Sequence, residues 1–126
     1  MDRQHAVSGS PYEDIIGFSR AVRVGHTVAV SGTAPVWSDG SVDPDPGVQT
    51  RRCWEIALAA LEQLGGRLDD VVRTRQYLVR ADIADAVGAV HGEVFGAVRP
   101  ASTMVIVAGL LDPRWLVEVE LDAVVD

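Results

Sequence analysis

The sequence predicts an α+β domain with the element order ββαβαββ, and three patterns carry that prediction. Two stretches, 46–64 and 82–96, repeat apolar residues at helical spacing, five others alternate β-branched and polar residues at the strand period of two, and glycine- or proline-rich turns stand between them. With 126 residues, 48% of them apolar, the chain has the size of one domain with one core over 1–126. A domain this small leaves about a third of its unfolded surface exposed, so association with further copies is an accessible source of burial.

Residues 1–10 are small and polar and read as a loose end, and 12–17 read as a lead into the first strand. Residues 18–24 and 27–34 form the expected hairpin around Gly25-His26. The Asp39-Gly40 and Asp43-Pro44-Asp45-Pro46 runs make 36–47 a surface loop, and Asp45-Pro46 supplies an N-cap followed by proline at the first helical position. Trp54, Ala57, Leu58, Leu61 and Leu64 form the apolar stripe of that helix, which Gly65-Gly66 ends. A third strand is expected at 71–79. Asp82 with Asp85 resembles a capping box for a second helix, whose buried stripe is Ile83, Val87, Val90 and Val94. Residues 102–110 and 116–125 then read as two strands around a turn at 111–115.

In the last strand Val117, Val119, Leu121, Ala123 and Val125 share one face, and Glu118, Glu120 and Asp122 the other. Two helices cover only one face of a sheet this wide, so the acidic face is either solvated or closed by another subunit.

Charge and composition exclude several classes. The net charge of −7 sets 18 acidic against 11 basic groups, and the arginines are scattered without interleaved aromatics, which argues against nucleic acid. Cys53 is the one cysteine, so no intrachain disulfide and no cysteine zinc site can form, as expected of a cytoplasmic protein. Residues 1–10 lack a signal peptide's apolar core, and no run approaches the ~20 residues of a membrane span. The histidines show no metal-ligand spacing, and His91 reads as an interface or supporting residue, with a general base as the lesser alternative.

The run Arg99-Pro-Ala-Ser-Thr-Met-Val-Ile-Val, the later Leu116-Val-Glu-Val-Glu-Leu-Asp-Ala-Val-Val and the earlier Val30-Ser-Gly-Thr-Ala-Pro-Val together resemble the RidA/YjgF (endoribonuclease L-PSP-like) family over 18–125. The resemblance implies a chorismate-mutase-like fold with a mixed sheet, assembled as a homotrimer with a small-molecule cleft at each subunit boundary. It implies hydrolysis of reactive imines and enamines without metal or organic cofactor. Ser31 matches the family serine, and Glu118 the acidic residue that holds water. Ser102 stands where the family has its carboxylate-binding arginine, Phe18 where many members have tyrosine, and Gly88 where asparagine is common. Trp115 is a candidate wall of the cleft.

Each candidate has a plainer alternative. Glu118 could be a solvated strand glutamate, and Glu120 an intersubunit ion-pair partner. Ser102 and Thr103 are candidate ligand contacts, but no base accompanies Ser31 or Ser102 in a nucleophile motif. Arg99, Arg73 and Arg75 are candidates for a displaced carboxylate anchor, or else surface ion pairs. Two functional classes fit: a cofactor-free hydrolase for a small imine, enamine or related carbonyl compound outside ordinary 2-imino acid specificity, and a non-catalytic metabolite-binding trimer. An RNA-cleaving role sits poorly with the acidic charge.

Overall fold

The computed structural model describes residues 2–126. The elements are β1 (Arg3–Ala6), α1 (Pro11–Ile16), β2 (Ala21–Val24), β3 (Thr27–Thr33), α2 (Pro46–Gln63), β4 (Val71–Leu78), α3 (Ala84–Phe95), β5 (Ala101–Ile106) and β6 (Val117–Val124). They form one six-stranded sheet in the order β1-β2-β3-β6-β4-β5. Every neighbouring pair is antiparallel except β4 and β5, and α3 is the crossover that a parallel pair requires.

The expected ββαβαββ core is present, with two additions at the N-terminus. Residues 3–6 are a strand rather than part of a loose end, pairing Arg3 with Val24 and Ala6 with Ala21. Only Ala6 of that strand is buried, so backbone pairing rather than an apolar pattern holds it, and no periodicity marks it in the sequence. Residues 12–17, expected as a lead into the first strand, fall largely within a short helix. Ser10 caps it by accepting from the Tyr12 N–H at 3.3 Å, with Pro11 in its first turn, the same device as Asp45-Pro46 at α2.

At α2 the Asp45 carboxylate accepts from the Val48 N–H at 3.0 Å, and Gly65, at φ 86°, reverses the chain after the last turn. The capping box expected at Asp82 is absent. Asp82 lies in a single 3-10 turn, Ala81–Ile83, where it pairs with Arg80 at 2.8 Å, and α3 starts at Ala84 without a side-chain cap. Strand β5 ends at Ile106, four residues short of the expected boundary, which frees 107–110 to leave the sheet.

Helices α2 and α3 pack together on one face, and the core lies between them and the central strands. Trp54, Leu61 and Phe95 are almost completely buried beside Val28, Val117, Val119 and Leu121. The Trp54 and Phe95 rings meet edge to face, 4.8 Å apart at 84°, a favoured aromatic geometry. Cys53 is buried in this layer, and burial pushes its thiol far above the usual range, leaving it an inert small hydrophobe.

Gln49 of α2 ties the irregular segments to the core. Only 1% exposed, it donates to the Asp43 and Arg114 carbonyls at 2.8 and 2.9 Å, and its own carbonyl accepts from the Leu116 N–H at 2.8 Å. One side chain thus holds both the 36–45 loop and the chain entering β6. Replacing it by leucine leaves three backbone groups without that partner, so Gln49→Leu is expected to cost about 2–4 kcal/mol in urea unfolding, with faster amide exchange at Leu116. An unchanged midpoint and unchanged exchange would show that water satisfies these groups equally well.

Candidate functional site

On the face of the sheet away from α2 and α3, the acidic side chains of β6 meet β4. Glu118 and Glu120 alternate with the fully buried Val117, Val119 and Leu121, so the strand period commits the carboxylates to this face. Tyr77 lies opposite Glu118 in the β4–β6 register, and its hydroxyl donates to Glu120 Oε1 at 2.6 Å. A cleft of about 310 Å³ opens here, lined by Gly32, Tyr77, Glu118 and Glu120 from the sheet and by Val107, Gly109 and Leu110 from the segment leaving β5.

Gly32 makes room for the carboxylate. The β3–β6 register shifts between Val30 and Thr33, and a Cβ on Gly32 would lie 2.6 Å from Glu118 Oε1. The bulge is pinned by Ser31, whose hydroxyl donates to the Ser19 carbonyl at 2.7 Å, and by Arg20, whose Nη2 donates to the Gly32 carbonyl at 2.6 Å. Bulges of this kind re-aim side chains beside binding sites. Burial lifts the Glu118 carboxyl above its ordinary value, Arg20 opposes the rise and Glu120 adds to it. Tyr77 is raised too, chiefly because its hydroxyl serves Glu120.

The sequence-predicted candidates separate into groups. Glu118 lines the cleft. Ser31 and Phe18 stand beside it through Arg20, whose guanidinium lies 5.5 Å above the Phe18 ring. Arg75 shares the open face but is already shared between Glu120 at 3.5 Å and Asp122 at 3.2 Å, an intrachain network where an intersubunit partner for Glu120 was the alternative. Ser102 is on the other side of the sheet. It pairs with Thr74 in register, and its hydroxyl accepts from Thr74 Oγ1 at 2.8 Å and Gln76 Nε2 at 3.0 Å. Thr74 also bonds His91 Nε2 at 2.8 Å, and burial lowers the His91 pKa, favouring the neutral ring. Thr103 is exposed on the edge strand, its carbonyl accepting from Gln76 at 3.2 Å.

Arg99 is exposed and occupies the left-handed region at φ 56°, with its N–H on the Phe95 carbonyl, so its backbone reverses the chain between α3 and β5. Trp115 is half-buried near the turn into β6 and does not line this cleft within one chain. Sequence reasoning missed Tyr77, Gly32 and Arg20 as parts of the site. The alternation of β4 places residues 73, 75 and 77 on one face and could have exposed Tyr77, whereas the contacts of Arg20 depend on the bulge and leave no local signal. Among the described residues, no group of three or more His, Cys, Asp or Glu side chains is arranged to hold a metal ion.

A mixed sheet with its helices on one face and a desolvated glutamate in a cleft on the other defines an α+β protein with a small-molecule-sized site. The sequence profile described as Endoribonuclease L-PSP matches residues 10–125, and the chain belongs to that family, the YjgF/UK114/Rid proteins. The crystal structure of Rv2704 from Mycobacterium tuberculosis, a member of the YjgF/YER057c/UK114 family, superposes with a TM-score of 0.91 at 42% identity, covering 98% of this chain and 100% of that one. An uncharacterized Streptomyces coelicolor protein is 41% identical over 117 residues, 92% of this chain and 87% of its own. A RutC family protein of Pyrococcus abyssi is 33% identical over 74% of this chain and 75% of its own length. The fold is therefore the chorismate-mutase-like fold of that family.

The geometry gives Glu118 a definite titration signature. A carboxyl raised by burial is expected to titrate above the ordinary value of 4.5 in a carbon-detected NMR titration. Arg20→Met, which removes the opposing charge, moves the midpoint higher still. The linkage sign follows: the native state resists ionisation of this group, so its contribution to stability falls as pH rises from the unfolded value to the folded one, and Glu118→Gln removes that slope. A midpoint at or below 4.5 would overturn the desolvated setting of Glu118.

Proposed function

We propose that the protein is a cofactor-independent hydrolase of a small imine, enamine or related carbonyl compound, with Glu118 as the group that holds and deprotonates water. The observation that supports this reading is the desolvated Glu118 carboxylate in an open cleft, seated against Gly32. Water bound by Glu118 attacks the electrophilic imine carbon. Its proton passes to the carboxylate, the new C–O bond forms, and the C=N π pair moves to nitrogen. Glu118 then returns the proton to nitrogen, the carbinol O–H proton passes through the same carboxylate to nitrogen, and the C–N bond breaks with its pair on the leaving amine as the carbinol oxygen closes the carbonyl. An enamine enters the same sequence after a proton reaches its β-carbon.

In this reading the working unit is a homotrimer. Glu118 and Ser102 lie on opposite faces of one sheet, so a ligand that touches both must sit between two copies. Val105 and Val124, 40% and 50% exposed, leave apolar surface for a neighbouring copy to cover. Phe18 and Ser31 would then shape the Glu118 side, and Ser102, Thr103, Arg99 and Trp115 would approach from a neighbour. A non-catalytic metabolite-binding trimer is the second reading. It is favoured by Ser102 at the arginine position, since a serine hydroxyl already engaged by Thr74 and Gln76 replaces neither the charge nor the fork of a guanidinium.

The test supplies freshly generated imines and enamines, including 2-aminoacrylate, and follows release of carbonyl product against the spontaneous rate. Acceleration is expected on at least one of them. Glu118→Gln should lose about 10²- to 10⁴-fold in kcat/KM, the range typical of a positioned general base. The acid limb of the wild-type pH profile should fall above the ordinary carboxylate value and vanish in the variant. Ligand-induced thermal stabilisation with no turnover on any imine would transfer the assignment to the binding reading.

A further inference from the structure

The charge in the cleft bears on which imine it accepts. Two carboxylates, Glu118 and Glu120, and the Tyr77 hydroxyl are the polar side chains that line it, with Val107 and Leu110 as apolar wall. No basic side chain lines it, and the sequence contains no lysine, its 11 basic residues all being arginine. The nearby guanidiniums are committed elsewhere. Arg75 is divided between Glu120 and Asp122, and Arg20 stands behind the bulge with Nη2 on the Gly32 carbonyl. Within one chain, a carboxylate-bearing ligand entering here would face two carboxylates in a partly desolvated space with no basic side chain in the lining, the guanidiniums of Arg75 and Arg20 already being engaged, whereas a cation would relieve the repulsion between the two carboxylates.

We propose that the site selects a cationic imine without an α-carboxylate, the protonated imine of a simple aldehyde or ketone. This rests on the hydrolase reading above and adds the substrate class to it. The iminium nitrogen sits against Glu120 and the Tyr77 hydroxyl oxygen, and its carbon faces the water on Glu118. The overall reaction balances as iminium plus water giving carbonyl plus ammonium. Water's oxygen bonds to carbon as Glu118 takes one proton and the π pair goes to nitrogen. Glu118 delivers that proton to nitrogen, the C–N bond breaks with its pair on nitrogen as the carbinol oxygen closes the carbonyl, and the carbinol O–H proton follows through Glu118, so that nitrogen leaves as ammonium.

A matched pair of three-carbon substrates separates the alternatives. Propan-1-imine is generated in place by an amine oxidase from propylamine, and 2-iminopropanoate by an amino acid oxidase from alanine, each with semicarbazide as competing trap. We expect kcat/KM for propan-1-imine to exceed that for 2-iminopropanoate about tenfold or more, and Glu120→Gln to reduce the ratio by lowering the first value. Faster turnover of 2-iminopropanoate would overturn the proposal while leaving the hydrolase reading intact. Thermal-shift titrations with propylammonium and with lactate give a second arm that needs no turnover. If neither imine is hydrolysed, the hydrolase reading fails, but stabilisation by propylammonium that is weakened in Glu120→Gln and absent with lactate still supports a cation-selective cleft. Equal or stronger stabilisation by lactate overturns it.

Discussion

The burial of strand β6 governs the rest of the molecule. It runs between β3 and β4, paired on both edges, and its side chains at 117, 119, 121 and 123 are wholly removed from solvent under α2. A shift of one residue would drive Glu118 and Glu120 into the core and bring four apolar side chains out, so the register is held by a penalty no single contact could impose. The position of Glu118 is therefore a by-product of core packing. Its chemistry is set by what the sheet places around it: Gly32 at the bulge, Tyr77 across the β4–β6 pair, and Arg20 behind.

Desolvation and charge act in opposite directions at that carboxylate. Burial and Glu120 favour the protonated form, while Arg20 favours the ionised one. A carboxylate held between such influences is a stronger base than one in water, which favours taking a proton from water and giving it back. Arg20 itself is partly buried, and its Nε has no hydrogen-bond partner, so the guanidinium is held by one strong contact to the Gly32 carbonyl and by the Phe18 ring. The Ser31-Gly32 pair thus has a physical role beyond sequence likeness: the serine hydroxyl fixes the backbone, and the glycine leaves space.

Much of the fold was legible from residue pattern alone. The α2 stripe and its Asp45 cap, the β4 strand and the alternation of β6 are long or strongly periodic, and all appear where expected. What escaped was local and held by backbone. Strand β1 has four residues and one buried side chain, and α1 has six residues, too short for a helical stripe to register. Asp82 looked like a cap because the spacing to Asp85 was right, but the 3-10 turn takes it out of position. The site was legible in its acid and not in its setting. Glu118 follows from the strand period, whereas the contacts of Arg20 and the separation of Ser102 from Glu118 depend on the bulge and on which face each strand presents.

That separation divides labour within the sheet. Glu118 is anchored in the most deeply packed strand, where substitution disturbs the core, while residues 101–106 sit on an edge strand with mostly exposed side chains. Changes along that edge are absorbed by one neighbouring strand and by solvent. A scaffold arranged in this way can vary along its edge without re-solving how it folds, and Ser102, its hydroxyl satisfied by Thr74 and Gln76, is accommodated there by two side chains of the neighbouring strand.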